Sequence, residues 1–203
     1  MSLVDFSKCS LWVSLASITF NPTFWNIAAR QEYKTHWITK LFGNDRYKGC
    51  YAIAATIFGL GIVRDLLFNR AMGEQPTLAL LDTFAVKAIA LALFGAGMTF
   101  VVSSTYMLGI TGTFLGDYFG ILMNERVTGF PFNVLENPMY VGSTMSFLGT
   151  SLWYAKPAGL LVTAYVWLVY DIALRFEGPF TTMIYANRDT QASGDAKQRK
   201  KKL

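Results

Sequence analysis

The chain has 203 residues, of which 53% are hydrophobic and 15% charged, with a net charge of +5. A soluble domain carries roughly 25% charged residues, and the few charges here are gathered between long uncharged stretches. A soluble globular fold is therefore excluded and an integral membrane protein is expected. The basic excess is no nucleic-acid signal, because five of the basic residues fall in the last seven positions, Lys197 to Leu203, in a tail suited to anionic lipid headgroups.

Five apolar segments follow one another. The first runs from about Leu11 to Ala29, is rich in Ser and Thr, and contains Asn21-Pro22. A proline at that place predicts a kink or a break, and so a re-entrant or interfacial segment. The second, from about Gly49 to Leu67, is uncharged until Arg64-Asp65. The third, from about Ala88 to Leu108, carries no charge. The fourth, Met139 to Ala155, has 17 uncharged residues, near the short limit for a span. The fifth, from about Ala158 to Leu174, contains Asp171. Lys156-Pro157 separates the last two, which predicts a tight helical hairpin. The expected fold is an all-α integral membrane protein of four to five transmembrane or intramembrane helices ending in that C-terminal hairpin. Residues 1–190 form one membrane domain, and 191–203 form a basic, disordered cytosolic tail.

The basic residues orient these segments. Arg30, Lys34, Lys40, Arg46 and Lys48 lie in loop 30–48, and Arg188, Lys197, Arg199 and Lys200 to Lys202 follow the fifth segment. The remaining loops are poor in them. If the fourth segment spans, both rich regions fall on one side, as the positive-inside rule requires. Loop 30–48, loop 109–138 and the tail are therefore expected to be cytosolic. The closing Lys200-Lys201-Lys202-Leu203 has lysines third and fourth from the end, a pattern read by receptors as an endoplasmic reticulum address. Loop 109–138 is long for a connection and rich in Phe, Tyr, Leu, Ile and Gly, so a folded lid over the cytosolic helix ends is expected.

Two cysteines, Cys9 and Cys50, and a single His36 supply no disulfide framework and no metal-ligand spacing. A Ser-His hydrolase would have to use His36, and no G-x-S-x-G accompanies it. Gly95-Ala96-Gly97, inside the third segment, fits either close helix packing or a backbone notch for a flat ligand such as a nucleoside. Asn137 and Pro138 suit an N-cap and first helical position, while Tyr140 and Gly142 follow closely. Glu177 sits where the fifth segment closes, and an acid there opposes the helix macrodipole. It pairs with Arg175 or Arg188, or binds a ligand. Asp171 lies inside the segment, and intramembrane ionisable groups are functional candidates. The hairpin brings Asn137, Tyr140 and Glu177 to one cytosolic pocket, with Gly95 and Gly97 towards its floor.

Several long stretches resemble a known family: Phe20-Asn-Pro-Thr-Phe-Trp-Asn26, Gly109-Ile-Thr-Gly-Thr-Phe-Leu-Gly-Asp-Tyr-Phe-Gly-Ile-Leu122, Arg126-Val-Thr-Gly-Phe-Pro-Phe-Asn133, Asn137-Pro-Met-Tyr140 and Pro179-Phe-Thr-Thr-Met-Ile-Tyr185. Over nearly its whole length the chain resembles the phosphatidylethanolamine N-methyltransferases, the small phospholipid methyltransferases of fungi and animals. The resemblance implies methyl transfer from S-adenosylmethionine to the amine of a phospholipid headgroup. It maps a G-x-G cofactor motif onto Gly95, Ala96 and Gly97, and a pair of adjacent acids onto Glu177 and Gly178, with Asn137, Pro138 and Tyr140 completing the expected cofactor site. At Gly178 the chain departs from the pattern, because glycine replaces the second acid. Glu136 or Asp171 could compensate.

The amine must reach the methyl group unprotonated, so a base is required. Asp117, Glu125, Glu136 and Tyr140 are within the cytosolic region, and Asp117 and Glu136 are preferred because apolar loop residues flank each. The catalytic set expected from the sequence is Asp117, Glu136 and Tyr140, with no metal. A prenylcysteine carboxyl methyltransferase, and a non-catalytic membrane organiser or transporter, are the competing readings.

Overall fold

The computed structural model describes residues 2–201, and the side chains at 189 and beyond 190 fall outside that description. Every regular element in it is helical: α1 (Cys9–Thr35), the short α2 (Trp37–Leu41), α3 (Arg46–Gly73), α4 (Phe84–Thr113), α5 (Pro138–Trp153) and α6 (Pro157–Lys201), with 3-10 turns at Ala79–Leu81 and Gly116–Phe119. Among the described residues, three stretches are long and apolar enough to cross a membrane: Arg46–Gly73, Phe84–Phe119 and Pro157–Arg188. The all-α membrane fold and its C-terminal hairpin are as the sequence predicts. The 16-residue α5 is about 24 Å long, short of the ~30 Å hydrocarbon core.

The helices alternate in direction. At one end the Gln75 side chain bonds the backbone of Asp5, accepting from its N–H at 2.8 Å and donating to its carbonyl at 2.9 Å, and Lys156 Nζ donates to the Gln75 carbonyl at 2.7 Å. That end gathers the start of α1, the end of α3 and the α5–α6 turn. At the other end Ala29, Ile38, Cys50, Tyr118, Phe119 and Ile184 form a buried cluster. A second cluster, including Leu11, Ile18, Phe68, Met72, Phe147, Val162 and Val166, fills the interior between α1, α3, α5 and α6.

The proline expected to interrupt its helix does not. Pro22 lies inside an unbroken α1. A proline in a helix interior costs about 3 kcal/mol, and this one is held by packing against α3. Asn21 and Pro22 are buried, and Asn21 Nδ2 donates to the Leu60 carbonyl of α3 at 3.1 Å. Pro179 lies inside α6, which continues past the expected end near Leu174. There Arg30 Nη2 donates to the Phe176 carbonyl at 2.6 Å, and its guanidinium lies over the rings of Phe176 and Phe180. Glu177 and Gly178 are therefore mid-helix residues, not a helix end, and the macrodipole argument for Glu177 does not apply.

Loop 109–138 is folded. Gly109 takes a positive φ of 64° that bends the end of α4. Leu115, Tyr118 and Phe119 are buried, and Arg46 Nη1 and Arg188 Nη1 donate to the carbonyls of Gly120 and Met123 at 3.0 and 2.8 Å. The tail expected at 191–203, with the address motif at its end, lies outside the described side chains.

The shared end of loop 30–48 and α6 generates a test of membrane sidedness. Single cysteines replacing Lys40, Tyr154 and Thr190 in a Cys9→Ser/Cys50→Ala background are labelled in sealed vesicles with an impermeant maleimide. Positions 40 and 190 should react from one side and 154 from the other. Labelling of 40 and 190 from opposite sides would remove the crossing assigned to α5.

Candidate active site

A cavity of about 820 Å³ lies between α3, α4 and α5, with α6 along one wall. Its size falls in the roughly 300–1,000 Å³ range of small-molecule sites. Glu136, Asn137, Pro138 and Tyr140 from the start of α5 line it, and so do Tyr170 and Glu177 from α6. The hairpin accounts for this meeting. Helix α5 starts where α6 passes the level of Glu177, and the two chains run antiparallel from the Ala155–Lys156 turn. The Tyr140 hydroxyl donates to Glu177 Oε2 at 2.5 Å, and the Tyr140 and Tyr170 rings meet edge to face at 5.0 Å. Expected as neighbours, Asn137, Tyr140 and Glu177 do line one cavity.

Asn137 occupies the N-cap position of α5 but makes no capping hydrogen bond with its side chain. The structural role that the sequence offers it is not used, which leaves its amide to the cavity. Glu136 is exposed at the rim. Asp117 belongs to the 3-10 turn behind the cavity and is not among its lining residues; its Oδ1 accepts from the Tyr118 N–H at 3.2 Å. Asp171 pairs with Arg175 at 2.7 Å on α6 and is likewise outside the lining. Gly178 is exposed, has no positive φ, and a Cβ there would meet nothing within 4 Å.

The two glycines of the Gly95-Ala96-Gly97 motif face different surroundings. A Cβ on Gly97 would lie 2.5 Å from the Gly142 carbonyl oxygen and 2.8 Å from Ser146 Oγ, so this glycine is where α4 and α5 touch. A Cβ on Gly95 would meet nothing within 4 Å, and Gly95 and Ala96 are exposed. Helix geometry requires the difference, because residues two apart do not share a face. Their neighbours Phe94 and Met98 are the α4 residues that reach the cavity at this level.

The family model for phospholipid methyltransferases matches residues 85–188, half of the chain. Over 202 residues the chain is 58% identical to the phosphatidyl-N-methylethanolamine N-methyltransferase of Neurospora crassa, covering 100% of this chain and 94% of that one. It is 59% identical over 186 residues to the enzyme of the same name from Saccharomyces cerevisiae, covering 92% and 90%. This chain belongs to the phospholipid methyltransferase family. Human phosphatidylethanolamine N-methyltransferase is 46% identical over 198 residues, covering 98% of each chain. No solved structure matches. As a family member the chain is a membrane-embedded methyltransferase acting on phospholipid, and the transporter reading is set aside.

Sequence reasoning passed over several cavity residues. Arg64, Asp65 and Asn69 of α3 line it, with Trp25 and Asn21 of α1 and Ser143 of α5. Of these, Arg64-Asp65 carries a sequence signal, since an ionisable pair at the end of an apolar run is a functional candidate.

The glycine geometry sets a stability prediction. Gly97→Ala should lower unfolding stability in detergent by about 1–3 kcal/mol through overpacking, whereas Gly95→Ala should be neutral or slightly stabilising. Equal midpoints for both variants in a thermal melt would mean that α4 and α5 do not rely on close approach at Gly97.

Proposed function

We propose that this protein transfers a methyl group from S-adenosylmethionine to the amine of phosphatidyl-N-methylethanolamine and of its dimethylated product, yielding phosphatidylcholine, at the cytosolic face of the endoplasmic reticulum membrane. The observation that carries the reading is the Tyr140–Glu177 contact on the wall of the cavity. Relatives named for the monomethylated lipid share 58% and 59% identity, against 46% for the human enzyme named for the unmethylated lipid, which favours the later methylations. The positive-inside arrangement supports the orientation.

The residues suit the cofactor. Glu177 offers carboxylate oxygens to an ammonium or to ribose hydroxyls, and the Asn137 amide is uncommitted by capping. Tyr140 and Tyr170 supply aromatic surface for a cation such as a sulfonium. When bound, the cofactor supplies an already electrophilic methyl group. What the chain must do is orient the lipid nitrogen in line with that methyl and take the ammonium proton. Glu136, exposed at the rim, accepts that proton and returns it to water. The Tyr140 hydroxyl donates its hydrogen bond to Glu177 and so positions the acid, not acting as the base. Asp117, behind the cavity, supports the turn that carries Leu115 and Phe114 to the lining. The departure at Gly178 leaves Glu177 as the sole carboxylate of the expected pair.

Two variants test this. Glu177→Gln should be nearly inactive in methyl transfer to monomethylated lipid in nanodiscs, because no neighbouring carboxylate remains. Gly178→Glu should tighten S-adenosylmethionine binding by roughly 1–2 kcal/mol if it gains one charge-assisted hydrogen bond, about 5–30-fold in Kd by calorimetry. Strain does not confound it, since the position is helical and its Cβ direction is open. A Gly178→Glu protein that melts normally yet binds the cofactor no better would show that this position does not serve it.

A further inference from the structure

Among the described residues, Arg64 is the one basic side chain lining the cavity. It lies in the apolar span Arg46–Gly73, where a cation is costly, yet its side chain is only 14% exposed. Nη1 donates to the Tyr170 hydroxyl at 2.6 Å, Nε donates to Asp65 Oδ1 at 2.9 Å, and Nη2 lies 2.8 Å from that same oxygen. The guanidinium also sits over the Phe147 ring at 5.1 Å. A guanidinium has five N–H donors in a planar fork, and these contacts engage three. A purely structural Arg–Asp pair favours two parallel bonds to two carboxylate oxygens; here both nitrogens converge on one oxygen. Tyr170 and Asp65 hold the group in place while one N–H on each Nη nitrogen remains to be offered to a ligand.

The surroundings say which anion. The cavity walls include Phe58 and Ile62 of α3 and Phe94 and Met98 of α4, all large apolar side chains that are exposed on the protein surface. This wall is open to acyl chains. Of the three carboxylates that line the cavity, Asp65 is held by Arg64, while Glu136 and Glu177 lie where α5 begins and suit the cationic groups of the cofactor. Resting on the reading above, we propose that Arg64 holds the phosphodiester of the lipid substrate, oriented by Tyr170 and Asp65, so that the headgroup amine is directed along the wall towards Tyr140 and Glu177. Arg64 is then the specificity residue for an anionic phosphate beside the reacting amine.

Three measurements test the proposal on full-length protein in nanodiscs. Arg64→Gln should raise the apparent KM for monomethylated phosphatidylethanolamine by roughly tenfold or more, as for loss of one charge-assisted contact. Arg64→Lys should recover part of this, and calorimetric affinity for S-adenosylmethionine should stay within about threefold of the parent in both. The unmutated enzyme should discriminate against a substrate whose phosphate is capped as a neutral methyl triester, and that discrimination should collapse in Arg64→Gln. If Arg64→Gln does not fold, the triester comparison in the unmutated enzyme decides. Equal turnover of diester and triester by the unmutated enzyme overturns the proposal, as does an unchanged lipid KM in folded Arg64→Gln. A loss of cofactor affinity matching the loss of lipid affinity also overturns it, assigning Arg64 to the cofactor carboxylate instead. Absence of methyl transfer to any phospholipid by the unmutated enzyme would instead sink the underlying functional reading.

Discussion

The structure depends on how closely α4 and α5 can approach. In a membrane no hydrophobic force presses one helix on another, so packing and small residues must do it. Gly97 and Gly142 face each other, and a Cβ on either would come 2.5 Å from the other's carbonyl oxygen. Further along, a Cβ on Gly149 would lie 2.7 Å from the Ala90 carbonyl oxygen. Gly159 does the same for α6, seated against Ser151. These contacts make α5 a thin central post. A thicker helix there would push α4 outward and α6 away, and Tyr140 would no longer reach Glu177. The small residues thus act on function at one remove, by setting the distance at which polar groups on neighbouring helices meet.

The end of the molecule that carries Glu136 and Glu177 is held differently, by polar anchors on loop carbonyls. Arg46 and Arg188 reach the carbonyls of Gly120 and Met123 from α3 and α6, and the Tyr185 hydroxyl accepts from the Met123 N–H at 3.3 Å. Phe119 packs where Gly49 leaves room for it. Glu32 is fully buried and accepts from the Ile38 N–H at 2.6 Å and from the Thr39 hydroxyl, which fixes the elbow between α1 and α2. Irregular backbone near a membrane is tolerated where protein satisfies its polar groups. The loop that follows α4 meets that condition, and it presents Phe114 and Leu115 to the cavity as a result.

The features legible in the sequence were those governed by local rules. Lys156-Pro157 between two apolar runs announced the hairpin, and the hairpin alone brought Asn137, Tyr140 and Glu177 together. Pro22 breaks no helix because its cost is local while the contacts that hold it are not. Nothing near Pro22 in sequence reveals that Asn21 will bond α3, and nothing near Pro179 reveals that Arg30, far earlier in the chain, docks on the Phe176 carbonyl. The Gly95-Ala96-Gly97 motif was taken as one unit, although residues two apart on a helix point to different neighbours. Arg64 was missed for a related reason. Its significance lies in what α6 and α5 place around it, Tyr170 and Phe147, and neither is near it in the chain.

Two acid–base pairs in apolar helices show why environment, not residue type, separates structure from function. Asp171 and Arg175 are one helical turn apart on α6, the spacing at which side chains meet. Their contact is 2.7 Å, and the arginine is 76% exposed. Each satisfies the other within one helix, outside the cavity, so the charges there are accounted for locally. Arg64 and Asp65 are adjacent in sequence, a spacing that does not bring side chains face to face on a helix. The arginine bends back to one oxygen of its neighbour while its other arm crosses to Tyr170 on α6. The pair therefore ties two helices together on the wall of a cavity. Acids where α5 begins and a cation further along the same wall divide the cavity into two polarities. A zwitterionic headgroup and a cationic methyl donor can then occupy it together, with Asp65 held on the Arg64 guanidinium beside the phosphate end.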